Sequence, residues 1–185
     1  MPRVIAGSVR NHNLKAPEGL NTRPTTDRIK ETLFNILQGD VPGAVVADFF
    51  AGSGQIGIES LSRGAEKAYF IDNSREAHEI IKDNLNHTKL TDKATVLCED
   101  FTTAVYHINE KHVDIVFADP PYDRGFERQL LLVLHDRPYI DEDTIIIIEA
   151  DIKTDFDYIP DLGYDILRVK EYKTNKHVFV SKAGN

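Results

Sequence analysis

Val45-Val46-Ala47-Asp48-Phe49-Phe50-Ala51-Gly52-Ser53-Gly54-Gln55-Ile56-Gly57 passes from an apolar strand, through Gly-x-Gly-x-x-Gly, into a helix. Gly52 allows a sharp turn, Gly54 lets the backbone approach a ligand, and Gly57 lets helix and strand pack closely. N–H groups left open at the helix start favour an anionic group. A plain tight turn would leave the same trace, so the surroundings of the motif must discriminate.

Outward from it, strands and helices alternate. The pattern predicts strands at Val45–Phe49, Lys67–Ile71, Thr95–Cys98, Val113–Ala118 and Thr144–Glu149. Helices are expected at Ile56–Ser62, Arg75–Asn86, Thr102–Ile108 and Glu127–Leu134. Short apolar strands between amphipathic helices specify an α/β protein with a parallel sheet covered on both faces. Two more strands, Asp165–Tyr172 and His177–Ser181, flank a turn at Thr174-Asn175 and must be antiparallel. Upstream, residues 26–38 read as a helix with Ile29, Leu33, Ile36 and Leu37 on one face. Residues 1–25 are rich in Gly, Pro and Asn, with apolar pieces at Val4-Ile5 and Leu14. They read as a small hairpin or extended arm. The expected division is an arm over 1–25 and a single domain over 26–185.

The composition is that of a globular protein: 185 residues, 41% hydrophobic and 28% charged. No apolar run is long enough to span a membrane, and Met1 to Gly7 has no apolar signal core. The single cysteine, Cys98, excludes a disulfide framework and a Cys-rich zinc site. A cytoplasmic protein is the expectation. The net charge of −8 argues against coating nucleic acid by bulk electrostatics. The charge is uneven, however. Residues 1–30 hold six cations and two anions, net +4, whereas the remainder holds 16 cations and 28 anions, net −12. A basic arm on an acidic body suits a protein that meets a polyanion on one face. A solvated surface would look the same.

Asp72 ends the second strand twenty residues after Gly52. A carboxylate there can accept both ribose hydroxyls of a nucleoside ligand, whether NAD or S-adenosylmethionine. Asp100-Phe101, at the end of the third strand, could hydrogen-bond an adenine amino group and cover its ring. Asp48 separates the two ligands. A carboxylate inside the first strand would repel a pyrophosphate and suit an ammonium such as that of a methionine moiety. The reading therefore favours S-adenosylmethionine. Its expected site comprises Asp48, Phe50, Gly52, Ser53, Gly54, Asp72, Asn73, Asp100 and Phe101.

The fourth strand stops at Asp119-Pro120-Pro121-Tyr122. Two prolines stiffen the backbone and remove two N–H donors, leaving carbonyls and one carboxylate. Such a loop suits a group with two donors, an exocyclic amino nitrogen. Asp119 takes one hydrogen and the Pro120 carbonyl the other, which turns the nitrogen lone pair towards an incoming methyl group. Asp119 also stabilises charge developing on nitrogen, and Tyr122 stacks on a base that has left its helix. A rigid Pro-Pro turn with a surface Tyr is the plainer alternative. His107 and His112 share no helical face, so no metal is expected.

Asp48-x-Phe50-Ala51-Gly52-Ser53-Gly54 resembles motif I of class I methyltransferases, and Asp119-Pro120-Pro121-Tyr122 resembles their amino-methylating motif IV. Arg23-Pro24-Thr25-Thr26-Asp27-Arg28, Glu31-Thr32-Leu33-Phe34-Asn35 and Gly57-x-Glu59-Ser60-Leu61-Ser62-Arg63-Gly64-Ala65 are similar to the RsmD family, bacterial 16S ribosomal RNA guanine-N2 methyltransferases. The resemblance covers nearly the whole chain. It implies a Rossmann-like, seven-stranded, mostly parallel sheet with a C-terminal antiparallel hairpin. It implies S-adenosylmethionine as donor, S-adenosylhomocysteine as product, and a guanine N2 of 16S rRNA as target, within an assembled or assembling 30S subunit. The RNA side would fall to Arg3, Arg10, Arg23, Thr25 and Arg28. The family's Arg-Gly-Arg is matched here only at Arg10, within Ser8-Val9-Arg10-Asn11-His12-Asn13. A monomer is the default. Other acceptors of the same chemistry are a DNA adenine or a protein glutamine, and a non-catalytic RNA-binding or assembly factor is the alternative outside enzymes.

Overall fold

Thr26 opens the first helix: its hydroxyl accepts the Ile29 N–H at 3.3 Å, supplying the cap that an exposed helix start needs. Helix α1 (Asp27–Ile36) buries Leu33 and Phe34. There follow β1 (Val45–Phe49), α2 (Gln55–Ser62), β2 (Lys67–Ile71), α3 (Arg75–Thr88), β3 (Ala94–Leu97), α4 (Phe101–Ala104), β4 (Ile115–Ala118) and α5 (Phe126–His135). β5 (Ile145–Asp151), β6 (Tyr164–Glu171) and β7 (Asn175–Lys182) complete the chain. The structure is a computed structural model and describes residues 1–18 and 25–184.

Among the described residues one sheet has seven strands in the order β3-β2-β1-β4-β5-β7-β6. β1 to β5 run parallel, and β7 is antiparallel to both β5 and β6. This is the doubly wound, Rossmann-like architecture with a C-terminal hairpin that the sequence implies. Order reverses at β1, between β2 and β4, which opens a crevice at the strands' carboxyl ends. The period of two along each strand feeds two cores. One face carries Ala47, Phe49, Tyr69, Ile71, Val116 and Ile146 against α4 and α5. The other carries Val46, Ala68, Phe70, Phe117, Ile147 and Phe179 beneath α1, α2 and α3.

Residues 1–18 form a hairpin. Arg3 bridges Asn13, and Val4 and Leu14 are fully buried in the second core. Glu59 of α2 accepts the N–H groups of Ile5 at 2.9 Å and Ala6 at 3.1 Å, and the Ser62 hydroxyl donates to the Ala6 carbonyl at 2.6 Å. The hairpin lies so close to α2 that a Cβ on Gly7 would stand 1.8 Å from the Ser62 carbonyl oxygen.

β1 and β2 have the expected bounds, most other elements are shifted at an end by one or two residues, and four differences have a local physical reason. The Thr102–Ile108 helix is only the short α4, because Tyr106 and His107 donate to Thr103 and Ala104 and tighten the chain into turns. β4 begins at Ile115, since the Val113 N–H goes to the Tyr139 carbonyl. β5 runs on to Asp151, where its pairing with β7 continues. The last turn is Lys173-Thr174 and not Thr174-Asn175. Asn175 is a strand residue because its amide is buried against Glu149, and its carbonyl accepts the Tyr172 N–H. No helix among the described residues is long and apolar enough to cross a membrane.

Candidate active site

The carboxyl end of β1 is a tight, strained turn. Phe50 has φ 57°, a conformation that costs a residue with a Cβ about 1–3 kcal/mol. Gly52 (φ 57°) and Gly54 (φ 75°) follow, and Gly54 starts α2. A Cβ on Gly52 would meet nothing within 4 Å, so the space over the loop is open. Gly54 is also needed for the packing of the turn. It holds a left-handed φ, and a Cβ there would press on Ile81 and Phe70 at 3.2 Å. Gly57 does bring helix and sheet together, since its Cβ would lie 2.3 Å from the Phe70 ring. Ser53 is buried, and its carbonyl accepts the Asn84 amide at 2.9 Å.

Three acids sit at successive strand ends. Asp48 is 2% exposed and accepts the Gly57 N–H at 3.0 Å, in the first turn of α2. Burial pushes its proton affinity well above the ordinary carboxylate range; the Gly57 bond opposes the shift and the Asp72 charge adds to it. Asp72 ties the loop to β2, accepting the Gly52 N–H and the Ser74 N–H, each at 2.9 Å. Asn73 beside it is exposed. Asp100 caps α4: one oxygen accepts both the Thr102 N–H at 2.9 Å and the Thr102 hydroxyl. The other Asp100 oxygen accepts neither bond, and the residue is exposed. Phe101 is buried and packs with Phe50 and Phe126, ring centroids 5.2 and 5.6 Å away, while Phe50 and Phe126 stack at 6.0 Å.

Asp119 stands at the end of β4, next to that turn: its N–H donates to the Phe49 carbonyl at 3.4 Å. Pro120 is buried, while Pro121 and Tyr122 are exposed above it. Burial first, then the charges of Glu149 and Asp48, raise the proton affinity of Asp119 well above the ordinary range. The glycine turn, the Asp-Pro-Pro-Tyr loop and the aromatic cluster thus share one end of the sheet.

Arg3 and Arg10 are exposed on the hairpin, and Arg3 pairs with Asp27 at 2.7 Å. Thr25 is half-buried and Arg28 exposed at the start of α1, and Arg23 falls outside the described residues. Neighbours that sequence reading passed over are Phe126, Glu149, Asn175 and His177. Phe126 carried a signal, an aromatic opening a helix straight after the Pro-Pro loop. His107 and His112 turn to separate acids, Glu99 at 2.7 Å and Asp141 at 3.0 Å.

Comparison with known proteins identifies the family of the chain and agrees with its fold. The family model described as "Conserved hypothetical protein 95" matches residues 2–181. Bacillus subtilis YlbH is 38% identical over 151 residues, 80% of this chain and 82% of that protein. Ribosomal RNA small subunit methyltransferase D of Escherichia coli is 34% identical over 158 residues, 85% of this chain and 79% of that one. The solved structure of Escherichia coli yhhF superposes with a TM-score of 0.85 at 31% identity, covering 100% of this chain and 99% of that one. The chain therefore belongs to the RsmD family, which includes the small-subunit ribosomal RNA methyltransferases D that it matches over most of its length.

Proposed function

We propose that the protein methylates the N2 amino group of a guanine in 16S ribosomal RNA, with S-adenosylmethionine as donor. The observation that carries the reading is the seating of Asp119-Pro120-Pro121-Tyr122 beside the strained Phe50–Gly54 turn, at the point where strand order reverses. The residues present fit the donor. Asp72 and Asp100 offer carboxylate oxygens to ribose hydroxyls and an adenine amino group, and Asp48 suits an ammonium. Phe50 and Phe101 offer aromatic faces, Gly52 leaves the space over the loop open, Ser53 and Gly54 complete the turn, and Asn73 stands at its rim. When bound, S-adenosylmethionine supplies a methyl group made electrophilic by its sulfonium.

The remaining steps belong to the chain. Asp119 and the Pro120 carbonyl accept the two hydrogens of the amino group and aim its lone pair, and Pro121 holds the loop rigid. Tyr122 stacks on the extruded base. A carboxylate with raised proton affinity is a better acceptor for the hydrogen that the nitrogen must lose. Arg3, Arg10, Arg23, Thr25 and Arg28 meet the RNA, joined by Arg168 and Lys170, which line a 420 Å³ groove with Thr32, Asn35 and Ile36. In this reading residues 1–25 are a basic hairpin on a methyltransferase domain of residues 26–185. The enzyme is a cytoplasmic monomer, and the substrate is an assembled or assembling 30S subunit, whose ordered RNA lets an acidic protein bind through one basic face.

The test is incubation with labelled S-adenosylmethionine and small subunits from cells lacking the protein, followed by nucleoside analysis. Label in N2-methylguanosine at one site is the expected result. Label in another nucleoside, or only in DNA or protein acceptors, would discard the rRNA guanine. Tight particle binding without turnover on any acceptor would leave the assembly-factor reading.

A further inference from the structure

Glu149 ends the run Ile145–Ile148 on β5 and is 4% exposed. The parallel register pairs Ala118 with Ile148, so the next position along sets Asp119 beside Glu149, on the face that carries Phe117 and Asp48. On its other side Glu149 faces β7. Asn175, 3% exposed, donates its amide to Oε1 at 2.9 Å, and His177, fully buried, meets Oε2 through Nε2 at 3.1 Å. A carboxylate can only accept, so Nε2 carries the hydrogen and Nδ1 is left to accept from the Tyr172 hydroxyl at 3.4 Å. Burial and the Glu149 charge push the Tyr172 phenol up to about 12, which keeps it a donor. The His177 ring is fixed edge-on to Phe117 at 5.8 Å. Two buried polar side chains, a phenol and an aromatic edge therefore hold one carboxylate still. Burying a carboxylate beside two other acids is costly.

We propose that Glu149 is a positioning residue for Asp119: fixed by Asn175 and His177, its charge makes Asp119 the acceptor of the amino proton, and the two carboxylates hold that proton between them until product leaves. The proposal rests on the amino-methylation reading. In the step itself an N–H bond of the methylated, cationic nitrogen breaks and its electron pair stays on nitrogen. An O–H bond forms on Asp119, so the cation and the carboxylate are both neutralised. Two adjacent carboxylates share one proton more readily than either holds two charges apart. The groups that act on this pair are Asp48 from β1, Asn175 and His177 from β7, and Tyr172 from the turn.

The test separates charge from shape. E149Q keeps the shape and loses the charge; E149D shortens the side chain and keeps the charge. The Asp119 carboxyl is followed by carbon-13 NMR titration in the unliganded protein, and transfer is measured alongside. E149Q is expected to bring the Asp119 titration down towards the ordinary carboxylate range and to lower kcat by about 10- to 100-fold, with KM for both substrates within about twofold. E149D is expected to keep most of the raised titration. Should E149Q fail to fold, H177F removes one donor from Glu149 and is expected to move Asp119 the same way by less. An Asp119 titration unmoved in E149Q, or moved more by E149D than by E149Q, overturns the proposal. The titration needs no acceptor. If it behaves as expected while the wild-type chain methylates nothing, the functional reading falls, and with it the proton step.

Discussion

Two groups of acids on the same side of the sheet are treated in opposite ways. Glu59, at the hairpin, is fully buried and surrounded by donors: the N–H groups of Ile5 and Ala6, Arg63 Nε at 2.8 Å and Lys30 Nζ at 3.5 Å. Lys30, also fully buried, spends its ammonium on the Arg3 carbonyl as well as on Glu59. Burial lowers its proton affinity, and the Glu59 charge pulls it part of the way back. At the other end of the sheet Asp119 faces the carboxylates of Glu149 and Asp48, and like charges raise its proton affinity instead of offsetting its burial. A carboxylate wrapped in donors holds the chain together. Carboxylates left to repel one another destabilise the fold, and such arrangements persist where chemistry uses a displaced proton affinity.

The largest effect that can break this comparison is at the clamp. E59A leaves the buried Lys30 ammonium with the Arg3 carbonyl but no carboxylate, and frees two backbone N–H groups. It should cost about 3–5 kcal/mol in urea unfolding, with amide exchange at Ile5 and Ala6 rising first. A loss under about 1 kcal/mol would mean that the hairpin is not held by Glu59. D119N tests the other end. Methyl transfer should fall about 10²- to 10³-fold while binding of the donor stays within a few-fold. In the wild type, kcat/KM should be lost as pH falls through the raised Asp119 titration, because the protonated acid accepts nothing. An acid limb in the ordinary carboxylate range would remove Asp119 from that role.

Stability against pH gives a smaller effect of opposite sign. Asp48 and Asp119 bind protons more tightly folded than unfolded. Their contribution is therefore most favourable below the ordinary carboxylate range, and it is lost as pH rises through their raised folded values. D119N removes part of that slope and should stabilise the fold by about 0.5–2 kcal/mol at neutral pH. Urea unfolding of both proteins at a series of pH values checks it. A destabilised D119N would make Asp119 as structural as Glu59 and end the contrast.

Much of one group and little of the other was legible in the sequence. Asp48 and Asp119 stand at the ends of apolar strands, where period, glycine and proline announce the sheet's carboxyl edge. β1 and β2 were bounded by the same signals. Glu149 closes an isoleucine run and resembles any strand end. What distinguishes it is Asn175 and His177, brought beside it by pairing of β5 with β7 across 26 and 28 residues. That pairing is antiparallel and non-local, and no local pattern encodes its register. Glu59 was hidden for a related reason. An acid in a helix reads as solvent-facing, and the docking of Ile5 and Ala6, 54 and 53 residues away, with Lys30 beside them, explains its burial. α4 was over-extended because periodicity cannot tell one turn of helix from two.

The smallest expected effect separates the hairpin's outer charges. Glu59 and Lys30 hold the hairpin from below, which leaves Arg3 and Arg10 on its exposed side. Arg3 already has Asp27 at 2.7 Å, whereas Arg10 makes no ion pair among the described residues. A cation with a carboxylate beside it releases fewer counterions when it meets a phosphate. R10A should therefore weaken binding to small subunits by a few-fold, about 1 kcal/mol, and reduce the slope of affinity against salt by about one. R3A should do less on both measures. Neither should change transfer at saturating substrate, since in this reading both residues hold RNA and neither handles the amino group. Equal salt slopes for wild type and R10A would move the RNA contact off the hairpin, to the groove of Arg168 and Lys170. A fall in kcat for R10A would mean that the clamped hairpin and the acidic end of the sheet act as one site, so that the paired charges serve the chemistry too.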